Sequence, residues 1–409
     1  MTPTLPSAHV LAADISPEWA ETLETLVTQV SAVRALLILE PVEISVLSME
    51  ELRAILAREV ERQLPKDKLE GQLLAMQLLG LVPPGYDLQG GFQDLLTEQI
   101  GGLYDEETDR LYIMEWINLR TQLARGILAH EITHALQDQH FDLSQSPIRS
   151  LDNDDAATAA LAVIEGDAML AMADHMAIHG GFGVMFEMAQ MVGMDQSALS
   201  RTPPFLQTQL VFPYLTGQTF MARARLERHG SLAGNHLLRH WPESTEQLLH
   251  PERSSAIGDS IDHPTPVALD ATAWGVPANW TRLESNVWGE LATRGIFRDS
   301  AGVRAASRIA EGWDGDLWEI WWNEESGGVA YLWSTVWDTV EDADAFRRAI
   351  PRVWSRVTLS SVVDLSGREV FAAPHINVNQ NAATVNVAVW NESGGVIITP
   401  PSISIIRRD

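Results

Sequence analysis

Apolar residues at Leu23, Leu26, Val27, Val30 and Val33 recur every three or four positions, so residues 17–34 are expected to form a helix with one buried face. Ser16 stands as its N-cap, with Pro17 just inside. The period then changes. Val42–Leu47 alternates apolar and polar residues, as a half-buried strand does. Ser48 and Glu51 form a capping box that opens a helix to about Gln63. Another helix, over about 67–80, stops at Val82-Pro83-Pro84-Gly85. Between Ile100 and Met114, two β-prone runs flank a polar turn and predict a hairpin. From Ile117 to Phe141 the only helix breaker is Gly126, and a further helix over about 154–178 opens on Asn153-Asp154-Asp155.

Farther along, residues 203–220 read as a helix interrupted at Pro213, and a short capped helix before His250 ends at Pro251. Residues 256–272, with Gly258, Pro264 and Pro266, have the composition of a connection. Beyond it, Gly312–Trp322 alternates like a strand, Gly327-Gly328 turns it, and Val329–Trp337 returns; Asp342–Ile350 then reads as a helix. The tail alternates at Thr384–Trp390, Val396–Thr399 and Ser402–Ile406. These patterns predict an α+β fold, mainly helical in its middle, with a small antiparallel sheet and a Trp-rich α+β C-terminal region. The divisions expected are 1–98, 99–255 and 256–409. Ten of the 14 Trp fall between Trp274 and Trp354, a density better suited to a sheet-on-helix core than to a ligand platform.

Composition narrows the possible functions. A net charge of −27 argues against nucleic acid as a partner, because phosphate binding needs a basic surface. With no Cys there is no thiolate metal site and no thiol nucleophile. No apolar run approaches the length of a membrane span, and no such span is expected. The first residues, Met1 to Asp14, have neither a basic start nor a long apolar stretch and do not read as a signal peptide.

Candidate chemistry sits in the helix ending near Phe141, which contains His130-Glu131-Ile-Thr-His134. On an α-helix the two His lie one turn plus about 40° apart, so both imidazoles leave the same face and can reach one Zn²⁺. Glu131 is rotated by about 100° from His130, which sets its carboxylate beside the metal. Water acidified by such an ion, to a pKa of about 7, could lose its proton to Glu131 during attack on a carbonyl. Glu165 lies in an Ala/Val/Ile/Leu/Met-rich helix, where a carboxylate is costly unless paired or metal-bound. It is the expected third ligand, and one Zn²⁺ per chain is the expected cofactor.

The string from His130 to Leu143 (HEITHALQDQHFDL) resembles the zincin metallopeptidase helix, in particular that of bacterial proteins predicted to be gluzincin-type zinc proteases. The resemblance implies a zincin-like catalytic region, a peptide or protein substrate, often export, and the same third ligand, Glu165. It also implies a donor for the developing oxyanion, for which His250 and Tyr214 are the candidates, His250 preferred. The sheet before a zincin helix can pair with an extended substrate, and residues 102–104 or 110–114 are candidates for that strand. His140 is an alternative third ligand at metzincin spacing, but Gln137 stands where metzincins turn the chain with Gly. On a continued helix His140 would lie about 9 Å farther along the axis than His134. Asp138 is a candidate to orient an imidazole, while Asp167, only two positions after Glu165, needs another partner or a local distortion at Gly166; His175 and His179 read as a solvated or C-capping pair. Two other functions fit the same residues: a catalytically silent peptide-binding scaffold, and a zinc hydrolase of a non-peptide amide.

Overall fold

A computed structural model describes residues 9–12, 15–63, 65–99, 101–181, 200–354 and 374–391. The fold is α+β. In the first part, β1 (Val10–Ala12), α1 (Pro17–Arg34), β2 (Val42–Leu47), α2 (Met49–Gln63), α3 (Lys66–Leu78) and α4 (Leu88–Gln99) precede β3 (Gly102–Asp105) and β4 (Arg110–Met114). Then come the long helices α5 (Gln122–Phe141), α6 (Asp154–His179) and α7 (Pro204–Ala224), and two short ones, α8 (Ala233–Leu237) and α9 (Glu246–Leu249). The last part holds β5 (Thr281–Asn286), α10 (Gly289–Ala301), α11 (Val303–Ala310), β6 (Trp313–Asn323), β7 (Gly328–Trp337), α12 (Val340–Ala349), β8 (Pro374–Asn381) and β9 (Thr384–Asn391). The strands expected at 396–399 and 402–406 lie outside the described residues.

The first sheet has the order β1-β2-β4-β3. Only the β3–β4 hairpin is antiparallel; β2 pairs with both β1 and β4 in parallel. The small sheet is therefore mixed, not antiparallel as expected. The cause is connectivity: β2 reaches β4 through α2–α4 and then β3, and such a long, mainly helical crossover suits parallel pairing. Register sets Ile44 beside Leu111 and Val46 beside Ile113. Val42, Ile44, Leu111 and Ile113 pack with Leu23 and Val27 of α1 and with Leu128, Ile132 and Leu136 of α5. The sheet and α1 thus hold α5 in place.

The second sheet, in the order β5-β6-β7-β9-β8, is antiparallel throughout. Trp313, Trp318, Trp333 and Trp337 are almost fully buried in it, packed with Phe297 and Phe346. Leu69, Leu73, Leu74 and Leu78 of α3 join the same core, so a helix from the first hundred residues closes the C-terminal sheet.

Among the described residues one helix, α6, is long and apolar enough to cross a membrane by length and composition alone, and half of that stretch is buried inside the fold, consistent with the expectation of no membrane span. Its apolarity has another cause. It packs against α1, α5, α7 and α10, and a helix enclosed on most sides is hydrophobic nearly all round. It also carries the buried Asp155 and Asp167. Pro213 does not interrupt α7, which runs through it to Ala224.

Candidate metal centre

Helix α5 starts where the Thr121 hydroxyl accepts from Ala124 N–H and ends where Asp142 takes φ of 52°. Its twenty residues carry both His of the motif into the interior, one turn apart. His130 Nε2 and His134 Nε2 lie 3.0 Å apart. From the facing helix, Glu165 Oε2 comes to 2.9 Å from the first and 3.5 Å from the second. A tetrahedral zinc with bonds of about 2.0–2.1 Å has ligand–ligand edges of about 3.3 Å. The three donors therefore stand close to three corners of that polyhedron, and the residues fit the ion.

Their charge fits as well. Burial alone would lower the His134 pKa, but the Glu165 carboxylate, with Glu131 behind it, lifts it well above the usual imidazole range. Burial would raise that of Glu165, and the two imidazoles hold it far below the usual carboxylate range instead.

Two close backbone approaches build the centre. A Cβ on Gly166 would lie 2.3 Å from the Gly217 carbonyl carbon, and one on Gly217 would lie 2.1 Å from Ala162 O. Helices α6 and α7 can cross this tightly only because both positions lack a side chain. The crossing sets Tyr214, one turn before Gly217, over the His130–Glu165 cluster. Its ring stacks on His130 at 6.2 Å between centroids. Its hydroxyl reaches Glu165, and that carboxylate, burial and Glu131 push the phenol well above its ordinary pKa, so it remains a proton donor. The second approach is at Gly102, whose Cβ would meet Glu131 Cγ at 2.9 Å. There Tyr104 N–H donates to Glu131 Oε2 at 3.0 Å, tying the carboxylate to β3.

The other expected residues fall as follows. His250 meets Glu290 Oε1 at 3.1 Å and Arg294 Nη2 at 3.4 Å, and is thus engaged with α10 rather than with the three-residue cluster. His140 donates to Leu37 O at 2.7 Å, turned toward the α1–β2 connection. Asp138 meets no imidazole; it accepts from the Tyr104 hydroxyl at 2.7 Å and from Leu143 N–H at 2.8 Å. His175 is buried against Gln29 Oε1 at 2.9 Å, not solvated as expected, while His179 is exposed. Of the two candidate substrate strands, 110–114 is enclosed between β2 and β3, so only 102–104 lies at an edge.

Sequence reasoning missed Gln137, whose Oε1 lies 2.9 Å from His134 Nδ1. The signal was there: a residue three positions on shares a helix face. It also missed Gln139, whose amide binds Leu39 N–H, Glu40 N–H and Glu40 O. The polar run after the second His is thus explained residue by residue. Gln137 meets His134, Asp138 holds β3, and Gln139 and His140 dock the α1–β2 connection.

A family model described as a domain of unknown function (DUF8575) matches residues 279–396, the stretch from just before β5 to just after β9. No curated protein and no solved structure matches the chain. The matched stretch contains none of His130, Glu131, His134, Glu165 and Tyr214.

Proposed function

We propose that this protein is a zinc-dependent peptidase of the gluzincin type, with His130, His134 and Glu165 as ligands. The observation that carries the reading is the convergence of three zinc-type donors with Glu131, itself held against an edge strand by Tyr104 N–H. Zinc in this position would supply Lewis acidity and acidify water. Glu131 takes the proton from the attacking water and returns it to the leaving amine. The Tyr214 hydroxyl donates to the carbonyl oxygen as negative charge builds there, the role given above first to His250. Strand β3 pairs with the backbone of an extended peptide and presents the scissile bond to Glu131.

The first test is elemental analysis of the desalted chain together with Glu131→Gln. One zinc per chain, lost in His134→Ala, is expected. Glu131→Gln should keep the metal and cleave a peptide library about 10²–10⁴-fold more slowly. Cleavage undiminished in that variant refutes the mechanism, and a chain that takes up no zinc refutes the centre.

A further inference from the structure

The contact between Gln137 and His134 continues inward. Gln137 Nε2 donates to Ile164 O at 3.2 Å and to Asp167 Oδ2 at 2.8 Å. The same Asp167 oxygen accepts from Arg34 Nε at 2.8 Å. All four side chains are buried, and Arg34 arrives from the last turn of α1, 133 residues before Asp167. Gly234 closes over the pair: a Cβ there would lie 2.3 Å from Arg34 Nη2 and 2.4 Å from Asp167 Oδ1.

This arrangement leaves the Gln137 amide one orientation. Reversed, its oxygen would face a carbonyl and a carboxylate, two acceptors, and its NH₂ would face the imidazole. With the oxygen toward His134, Nδ1 must carry the hydrogen, which leaves Nε2 as the nitrogen that can bind an ion held between it, His130 and Glu165. Asp167 also polarises the amide, which makes Oε1 a stronger acceptor and Nε2 of His134 a stronger donor to a metal. His130, by contrast, has a buried Nδ1 without a hydrogen-bond partner among the described residues. Only one of the two imidazoles is held this way.

We infer that Arg34 and Asp167 are positioning residues that act through the Gln137 amide to fix the tautomer and donor strength of His134. The inference rests on the zinc reading above. Helix α1 then belongs to the metal centre, although it lies nearly a hundred residues before the motif.

The test is a thermodynamic cycle on the full-length chain, read as the zinc dissociation constant from chelator competition. Cobalt(II) absorption of the loaded protein is recorded beside it. Arg34→Met/Asp167→Asn removes both charges together, because a lone buried charge would itself unfold the region. That double variant and Gln137→Met should each weaken zinc binding about 10–100-fold and shift the cobalt spectrum. The triple variant should be no weaker than Gln137→Met alone, since the relay is already broken. Gln137→Met leaves the ion pair in place and gives the answer even if the double variant does not fold. Unchanged zinc affinity in Gln137→Met, or losses that multiply in the triple variant, would overturn the relay while leaving the zinc centre intact. An unaltered chain that binds no zinc would overturn both.

Discussion

At the scale of single residues, Tyr214 and His250 separate two roles that composition alone leaves equivalent. Tyr214 stacks on His130 and keeps its phenolic proton, so it can donate where negative charge develops. His250 is bound to Glu290, a residue with no solvent exposure, and to Arg294. Removing a donor used only in the transition state lowers kcat and leaves KM nearly unchanged. Tyr214→Phe should therefore reduce kcat about 10²-fold or more at similar KM and similar zinc content. His250→Gln should leave kcat within a few-fold and lower the melting temperature instead, because it disturbs the buried Glu290. Steady-state kinetics and a thermal melt on both variants decide the matter, and the opposite ranking would return the oxyanion role to His250.

At the scale of elements, the crossing of α6 and α7 positions Tyr214 against His130 and Glu165. A methyl at position 217 must displace Ala162 O or push the helices apart. Gly217→Ala should cost about 1–3 kcal/mol in urea unfolding and also reduce activity by moving Tyr214. Unfolding unchanged within error would mean that the crossing is looser than the backbone distances imply. The crossing was not legible in the sequence, whereas α1 and α5 were, from apolar positions at helical spacing, and α2 and α6 were, from the capping residues at their starts. Strand β5 shows why periodicity fails. Its sequence, Thr281-Arg-Leu-Glu-Ser-Asn286, reads as polar, yet Glu284 and Asn286 are buried. Asn286 Oδ1 caps α6 by accepting Asp154 N–H at 2.8 Å, across 132 residues of sequence. A pattern of apolar residues reports burial away from water; it is silent about burial satisfied by a distant partner. For the same reason His130, Glu131 and His134 were readable from local spacing, and Glu165 from its apolar surroundings. Arg34, whose partner lies in another helix, was not.

At the scale of the whole molecule, that polar burial concentrates where the N-terminal end of α6 meets the C-terminal sheet, and it gives the protein a characteristic response to pH. Burial pushes Asp155 up to about 8, Glu246 to about 9, Glu284 to about 7 and Asp154 to about 6. Thr245 N–H donates to Asp155 and Arg253 pairs with Glu246, but neither interaction offsets the desolvation. In the unfolded chain these carboxyls titrate near pH 4. Between that value and their folded pKa each is protonated in the fold and ionised in the unfolded chain, so the folded state binds more protons. Stability then falls as pH rises through that window, by up to about 1.4 kcal/mol per pH unit for each such group. For the chelator-treated protein, the urea unfolding free energy should be greater at pH 5.5 than at pH 8.5. Asp155→Asn, which is neutral at both pH values, should flatten the slope. The growing net negative charge acts in the same direction, so the variant is what isolates the buried groups. A wild-type stability that is flat or rises across this interval would mean that these carboxyls are ionised in the fold, and that the junction between α6 and the C-terminal sheet takes up enough water or counterion to keep them so.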